Sequence, residues 1–172
     1  GCELRIDSIG NIFARREGSD RFADPVLVGS HLDTQPTGGK YDGVYGVLAG
    51  VEIIETLNAE KIVTDAPIEV IVWTNEEGCR FDVPAMGSSV WAGALEQQDA
   101  YREVDRSGCS VLSELNRTGY LGQTRAAPFS FRAAFELHIE QGPVLEKESK
   151  AIGVVTSTQN MSRHTLKIFG SE

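Results

Sequence analysis

The chain has 172 residues, 41% apolar and 24% charged, proportions that suit one soluble globular domain with a sizeable core. Its net charge of −9 and pI near 4.9 argue against nucleic acid or an anionic membrane as partner, because both would repel an acidic surface. The three cysteines, Cys2, Cys79 and Cys109, are too few and too scattered for a disulfide framework or a thiolate metal site, so a reducing cytoplasm is the expected compartment.

Residues 4–6 and 11–14 read as two short strands joined through Gly10. Residues 25–29 form a short apolar run bounded by turn residues, which suits a buried strand. Residues 36–40, Pro-Thr-Gly-Gly-Lys, are a loop. Val44, Val47, Leu48, Val51, Ile53, Ile54 and Leu57 recur at helical spacing, so residues 44–58 read as a helix with one broad apolar face. Asp65-Ala66-Pro67 breaks the chain, and residues 68–73 are the next buried strand. Strand, helix and strand in that order make a βαβ unit with a parallel pair and a right-handed crossover. Beyond it, residues 88–94 and 111–116 are helical candidates, the second stopped by Gly119. A strand is expected within residues 131–139, a short helix begun by proline over 143–147, and a strand over 151–155. No run is apolar enough to span a membrane. The chain opens on Gly1-Cys2-Glu3 and stops just after a strand-like alternation at 165–169, so it reads as a piece of a longer protein.

Three groups of titratable residues follow strand ends: His31-Leu32-Asp33-Thr34 with Asp42, Glu76-Glu77 after Trp73, and His138-Ile139-Glu140. Open α/β sheets place their ligands at such ends. Adjacent carboxylates there are costly to bury unless something cationic binds. Taken singly, each has a plainer reading. His31 suits a structural histidine, the glutamates a solvated strand end, His138 a half-exposed strand residue, and Asp42 an N-cap of the helix. Taken together they suit one hydrolytic metal centre. His31, Asp42, Glu77 and His138 are candidate ligands, and Glu76 is left as a neighbouring base. Period-two geometry sets Asp33 on the face of His31, where it could orient the ring. Histidine and carboxylate donors without thiolates suit Zn, Mn, Co or Ni. Of the other residues, Cys79 reads as a small buried hydrophobe, Trp73 and Trp91 as core, and Arg80 as the partner of a local acid.

Residues 29–50, from Gly29-Ser30-His31-Leu32-Asp33-Thr34 through Gly39-Lys40-Tyr41-Asp42-Gly43, resemble the first metal motif of the N-carbamoyl-L-amino acid hydrolases. These form the hydantoinase/carbamoylase group of the co-catalytic aminoacylase and carboxypeptidase-like metallohydrolases. Trp73-Thr74-Asn75-Glu76-Glu77-Gly78 with Arg80-Phe81 and Met86-Gly87-Ser88 is similar to the second motif, and Leu137-His138-Ile139-Glu140-Gln141-Gly142-Pro143 to the third. The resemblance covers nearly the whole chain. It implies an α/β fold: a partial zinc-exopeptidase-like catalytic domain with a mixed, largely parallel sheet flanked by helices. It also implies two divalent metal ions. His31 and His138 would hold the first, Asp42 would bridge, and Glu77 would hold the second. Glu76 would be the general base, Asp33 would orient His31, and Gln141 would contact the ureido group of a small-molecule substrate such as an N-carbamoyl amino acid, allantoate or N-carbamoyl-β-alanine. The family carries a further histidine ligand near its C-terminus. It also has an inserted dimerisation or lid domain, so a homodimeric parent is expected. Residues 1–157 would be part of the catalytic domain and 158–172 the start of the insertion. His164 does not match the family histidine and reads as surface. Two other functions compete: a peptidase or deacylase of the wider superfamily, disfavoured by Gln141-Gly142-Pro143, and a truncated non-catalytic metal-binding module, disfavoured by Glu76.

Overall fold

A computed structural model describes residues 1–158 and 166–170. The chain divides into two compact units, Gly1–Ile139 and Glu140–Glu172. The first is built on a sheet of five strands: β1 (Glu3–Ile6), β2 (Ile12–Arg16), β3 (Val26–His31), β4 (Ile68–Trp73) and β5 (Ala133–Phe135), in the order β1-β2-β4-β3-β5. The βαβ unit forms as expected. Helix α1 (Val44–Ala59) connects β3 to β4, and the two strands pair in parallel, with His31 opposite Trp73. The sheet is mixed: β5 also lies parallel to β3, whereas β1 and β2 join β4 through antiparallel pairings. The parallel part is therefore confined to β4, β3 and β5.

Both faces of β3 and β4 are covered, which is why their apolar residues run consecutively, at 26–28 and at 70–73, instead of alternating. On one face Val28 and Val70 pack under Val47 and Ile54 of α1. On the other, Phe13, Leu27 and Ile71 meet Trp73, Trp91 and Phe129. A third cluster, with Ile9, Met86, Val90, Val111 and Leu115 among its members, joins α2 (Met86–Ala92), α3 (Gln97–Arg102) and α4 (Val111–Thr118) to the turn after β1. As anticipated, Gly119 ends α4 in the left-handed conformation. Arg80 forms ion pairs as expected, but with acids distant in sequence, Asp105 at 2.9 Å and Glu114 at 2.7 Å.

Several expectations need correction. The buried face of α1 is narrower than the apolar pattern suggests. Gly46, Val47, Gly50 and Ile54 face inward, while Leu48, Val51 and Ile53 are exposed. A side chain at Gly46 would meet the Leu137 carbonyl at 2.6 Å and Ser30 Cβ at 2.8 Å, so close helix–sheet approach fixes which face turns down. Helix α3 falls in a stretch to which the sequence pattern assigns no element. Cys79 is exposed, because it follows the chain out of the turn after β4 instead of entering a core.

The second unit contains α5 (Val144–Lys147), whose first N–H groups are accepted by the Glu140 carboxylate: Val144 at 2.9 Å and Leu145 at 3.0 Å. Residues 151–155 are not a strand. No strand pairs with them among the described residues, and Ile152, Val154 and Val155 are each at least 77% exposed. An apolar alternation without a ladder partner leaves its backbone groups to water. His164 lies outside the described residues, as does most of the segment from 158 onward.

Candidate metal centre

The C-terminal ends of β3 and β4 bring the first two groups together. His31 is the last residue of β3 and is 1% exposed. Its Nδ1 lies 2.8 Å from the carbonyl oxygen of Asp33, which assigns the proton to Nδ1 and leaves the Nε2 lone pair facing inward. The Asp33 carboxylate stands farther off, at 3.6 Å. That carboxylate is occupied elsewhere: it accepts the backbone N–H of Glu76 at 3.1 Å and of Glu77 at 2.9 Å. Orientation of His31 thus comes mainly from the Asp33 main chain. The Asp33 side chain ties the glutamate turn to the histidine strand.

That turn is shaped by Asn75, which adopts a φ of 49° and whose amide donates to the carbonyls of Phe81 and Val83 at 3.1 and 3.0 Å. Behind it, the buried Asn11 accepts the Thr74 N–H and donates to Asp7 and to the Gly87 carbonyl. Glu76 Oε2 then lies 3.6 Å from His31 Nε2. Glu77 Oε2 accepts from Gln35 Nε2 at 2.7 Å, while Glu77 Oε1 is buried without a hydrogen-bond partner among the described residues. Gln35 carried no signal in the sequence beyond its place in the loop after Asp33.

His138 follows β5. Its Nδ1 lies 2.9 Å from the Ile139 carbonyl oxygen, so Nε2 again faces inward, 3.2 Å from Asp42 Oδ1 and 3.5 Å from His31 Nε2. Asp42 is buried and does not cap α1. The N-cap position falls on Gly43, with no side-chain cap. Gly43 has a φ of 70°, and a Cβ there would sit 2.3 Å from the His31 ring, so only glycine fits beneath the imidazole. Ser30 donates to Glu136 at 2.5 Å, adding an acid beside the centre that the motifs did not single out. Gln141 belongs to the second unit, where it has a φ of 56°.

Two overlapping groups therefore have ligand atoms within 4.8 Å of one another: His31–Asp42–His138 and His31–Glu76–Glu77. Asp42 and Glu77 fall in different groups, each with His31. The electrostatics call for a cation. Two imidazole lone pairs 3.5 Å apart repel unless a positive charge lies between them, and an unpartnered buried carboxylate oxygen is costly. A proton on His31 answers the same need. Burial pushes the His31 pKa down, but the Asp33 contacts and the Glu76 charge outweigh it and hold it at about 9. Burial alone would push Asp33 up, yet His31 and the two N–H groups keep it below its ordinary value. Glu76 is raised, first by burial and then by the charges of Glu77, Asp33 and Glu136, against the opposing pull of His31. Nitrogen and oxygen donors without thiolates suit a borderline divalent ion.

A fold of this kind with a histidine–carboxylate centre at its parallel strand ends defines a metallohydrolase class, and the chain belongs to peptidase family M20/M25/M40, whose profile matches residues 27–169. Within it, the chain is 49% identical over 161 residues to an N-carbamoyl-L-amino-acid amidohydrolase of Rhizobium meliloti, covering 94% of this chain and 39% of that protein. It is 44% identical over 160 residues to an N-carbamoyl-L-amino acid amidohydrolase of Geobacillus stearothermophilus, covering 91% and 39%. A hydantoinase/carbamoylase family amidase from Burkholderia ambifaria superposes with a TM-score of 0.83 at 53% identity, over 87% of this chain and 36% of that one. The chain thus spans about two fifths of the length of the relatives it matches.

Proposed function

We infer that the whole protein is a metal-dependent amidohydrolase cleaving the carbamoyl C–N bond of N-carbamoyl-L-amino acids or related ureido acids. The observation that carries this reading is the convergence of His31, Asp42, Glu76, Glu77 and His138 at one edge of the sheet, with both Nε2 lone pairs turned inward. His31 and His138 would hold one divalent ion and Glu77 a second, with Asp42 shared between them; zinc, manganese, cobalt and nickel all suit these donors. When bound, the metals supply an attacking water of lowered pKa and polarise the carbamoyl carbonyl. Glu76, whose Oε2 lies 3.6 Å from His31 Nε2, would accept the proton of that water and return it to the leaving nitrogen. Asp33 keeps Glu76 in place through the turn's N–H groups. The products are an L-amino acid, carbon dioxide and ammonia. Gln141 would contact the ureido group, residues 158–172 would begin an inserted lid or dimerisation domain, and the protein would work as a cytoplasmic homodimer.

The test is chelation of the full-length protein followed by restoration with zinc, manganese or cobalt, read on a panel of N-carbamoyl-L-amino acids, allantoate, dipeptides and N-acetyl amino acids. Activity surviving complete metal removal would sink the metal reading. Preference for dipeptides or N-acetyl substrates would favour a peptidase or deacylase.

A further inference from the structure

The loop after β3 carries a side chain that the metal motifs leave unassigned. Gln35 heads a tight turn closed by the Gly38 N–H on the Gln35 carbonyl at 3.0 Å. From there its amide crosses to Glu77, 42 residues on, and donates to Oε2 at 2.7 Å. The other end of Glu77 is also fixed, because its backbone N–H is held by Asp33 at 2.9 Å. One carboxylate oxygen is therefore committed to a neutral amide and the other, Oε1, is buried and bare. The residue type matters. Lysine or arginine at position 35 would neutralise the charge that a cation needs, and an acid would repel Glu77. An amide orients the carboxylate while leaving its full charge in place.

We propose that Gln35 is a positioning residue that assigns the two oxygens of Glu77, holding Oε2 on its amide and presenting Oε1 alone to a divalent ion. The inference rests on the metal-centre reading above. It predicts that Glu77 is a one-oxygen ligand and that loss of the amide both weakens this ligand and lets the second oxygen join.

The chain is titrated with Co²⁺ by calorimetry beside Glu77→Gln, Gln35→Leu and Gln35→Met, and the metal-loaded proteins are compared by infrared difference spectroscopy. The equivalent that Glu77→Gln weakens is the one bound through Glu77. Both Gln35 variants should weaken that equivalent ten- to a hundredfold and leave any other unchanged. They should keep the wild-type thermal midpoint. The gap between the asymmetric and symmetric stretches of the Glu77 band should narrow, as it does when a carboxylate binds through both oxygens. Unchanged affinity with an unchanged gap overturns the proposal. So does a parallel loss of every equivalent and of the thermal midpoint in both variants, which would make Gln35 a mere loop anchor. If Glu77→Gln weakens no equivalent, the assignment of Glu77 as a ligand fails first, and the Gln35 proposal falls with it.

Discussion

Replacing Gly43 by alanine tests how tightly the backbone is built around His31. Gly43 sits at φ 70° and ψ −50°, a region that side chains avoid. An added Cβ would lie 2.3, 2.4 and 2.5 Å from Cε1, Nδ1 and Nε2 of the His31 ring. Ordinary contact begins near 3.4 Å, so the ring would have to retreat by roughly 1 Å. It has no room to do so, being 1% exposed and held on the Asp33 carbonyl at 2.8 Å. The backbone strain costs about 1–3 kcal/mol and the overpacking about as much again, giving a loss of about 2–6 kcal/mol. For a chain of this size each kcal/mol lowers the thermal midpoint by roughly 2–4 °C. Urea unfolding of the metal-free chain should therefore show a clearly lower midpoint. Zinc calorimetry should show weaker binding, since the displaced ring no longer presents Nε2. Gly39→Ala is the control: its Cβ would meet only Ile139 at 3.5 Å, and its effect should stay within about 0.5 kcal/mol. A Gly43→Ala protein with wild-type midpoint and wild-type zinc affinity would refute the argument.

Glu76→Gln in the full-length protein should abolish turnover while metal content persists, whereas Glu77→Gln should lower occupancy of one metal; a Glu76→Gln protein that loses metal but keeps its rate per bound metal would reverse the two roles. Asn11→Ala should cost about 3–5 kcal/mol by urea unfolding, because it strands Oδ2 of the buried Asp7 carboxylate together with the Thr74 N–H and the Gly87 carbonyl, although Asp7 Oδ1 keeps the Ile9 and Asn11 N–H groups; a loss under about 1 kcal/mol would mean water replaces the amide. Arg117 and Arg80 hold the Glu114 pKa down to about 2, below its ordinary 4.5, so the stability it contributes is present above pH 4.5 and lost as pH falls toward 2. Thermal midpoints measured across that window should fall less steeply in Glu114→Gln than in the wild type, and parallel slopes would remove these ion pairs from the acid limb.

What could be read from the sequence tracks what is local. The β3–α1–β4 unit was legible because two apolar runs flank a long 3.6-residue repeat, a combination with one simple topology. Which side of α1 turns inward was not, since Leu48, Val51 and Ile53 match the repeat as well as Val47 and Ile54 do; the deciding residues are Gly46 and Gly50, which carry no apolar signal. Helix α3 is six residues long with one fully buried side chain, Ala100, too little for any period to show. Residues 151–155 have a strand's pattern, but a strand exists only where a partner supplies the ladder. In the centre, strand-end carboxylates and histidines stood out by type and position. The use of Asp33 did not: whether its carbonyl or its carboxylate serves His31 depends on where the turn at residues 74–78 arrives, more than forty residues later. Gln35 was invisible for the same reason.

The strand register explains why residues so far apart meet. In the parallel pairing of β3 with β4, His31 stands opposite Trp73, so the first residues beyond each strand end are neighbours, and Asp33 can take the N–H groups of Glu76 and Glu77. In the pairing of β3 with β5, Val28 stands opposite Phe135. Carried three residues further, that register sets His31 beside His138, and the rings lie 5.7 Å apart, close to the spacing of adjacent strands. Antiparallel pairing would send these ends to opposite edges of the sheet. A one-residue slip of β5 would turn His138 to the other face and separate the two Nε2 atoms. The apolar core alone tolerates such a slip poorly in β3 and β4, which are buried on both faces, but hardly resists it in β5, whose Ala134 and Phe135 are exposed. For that edge strand, the contact of His138 with Asp42 at 3.2 Å, and any cation held between the two imidazoles, pins the register from beyond the strand's end. The centre is thus as much a constraint on the sheet as a product of it.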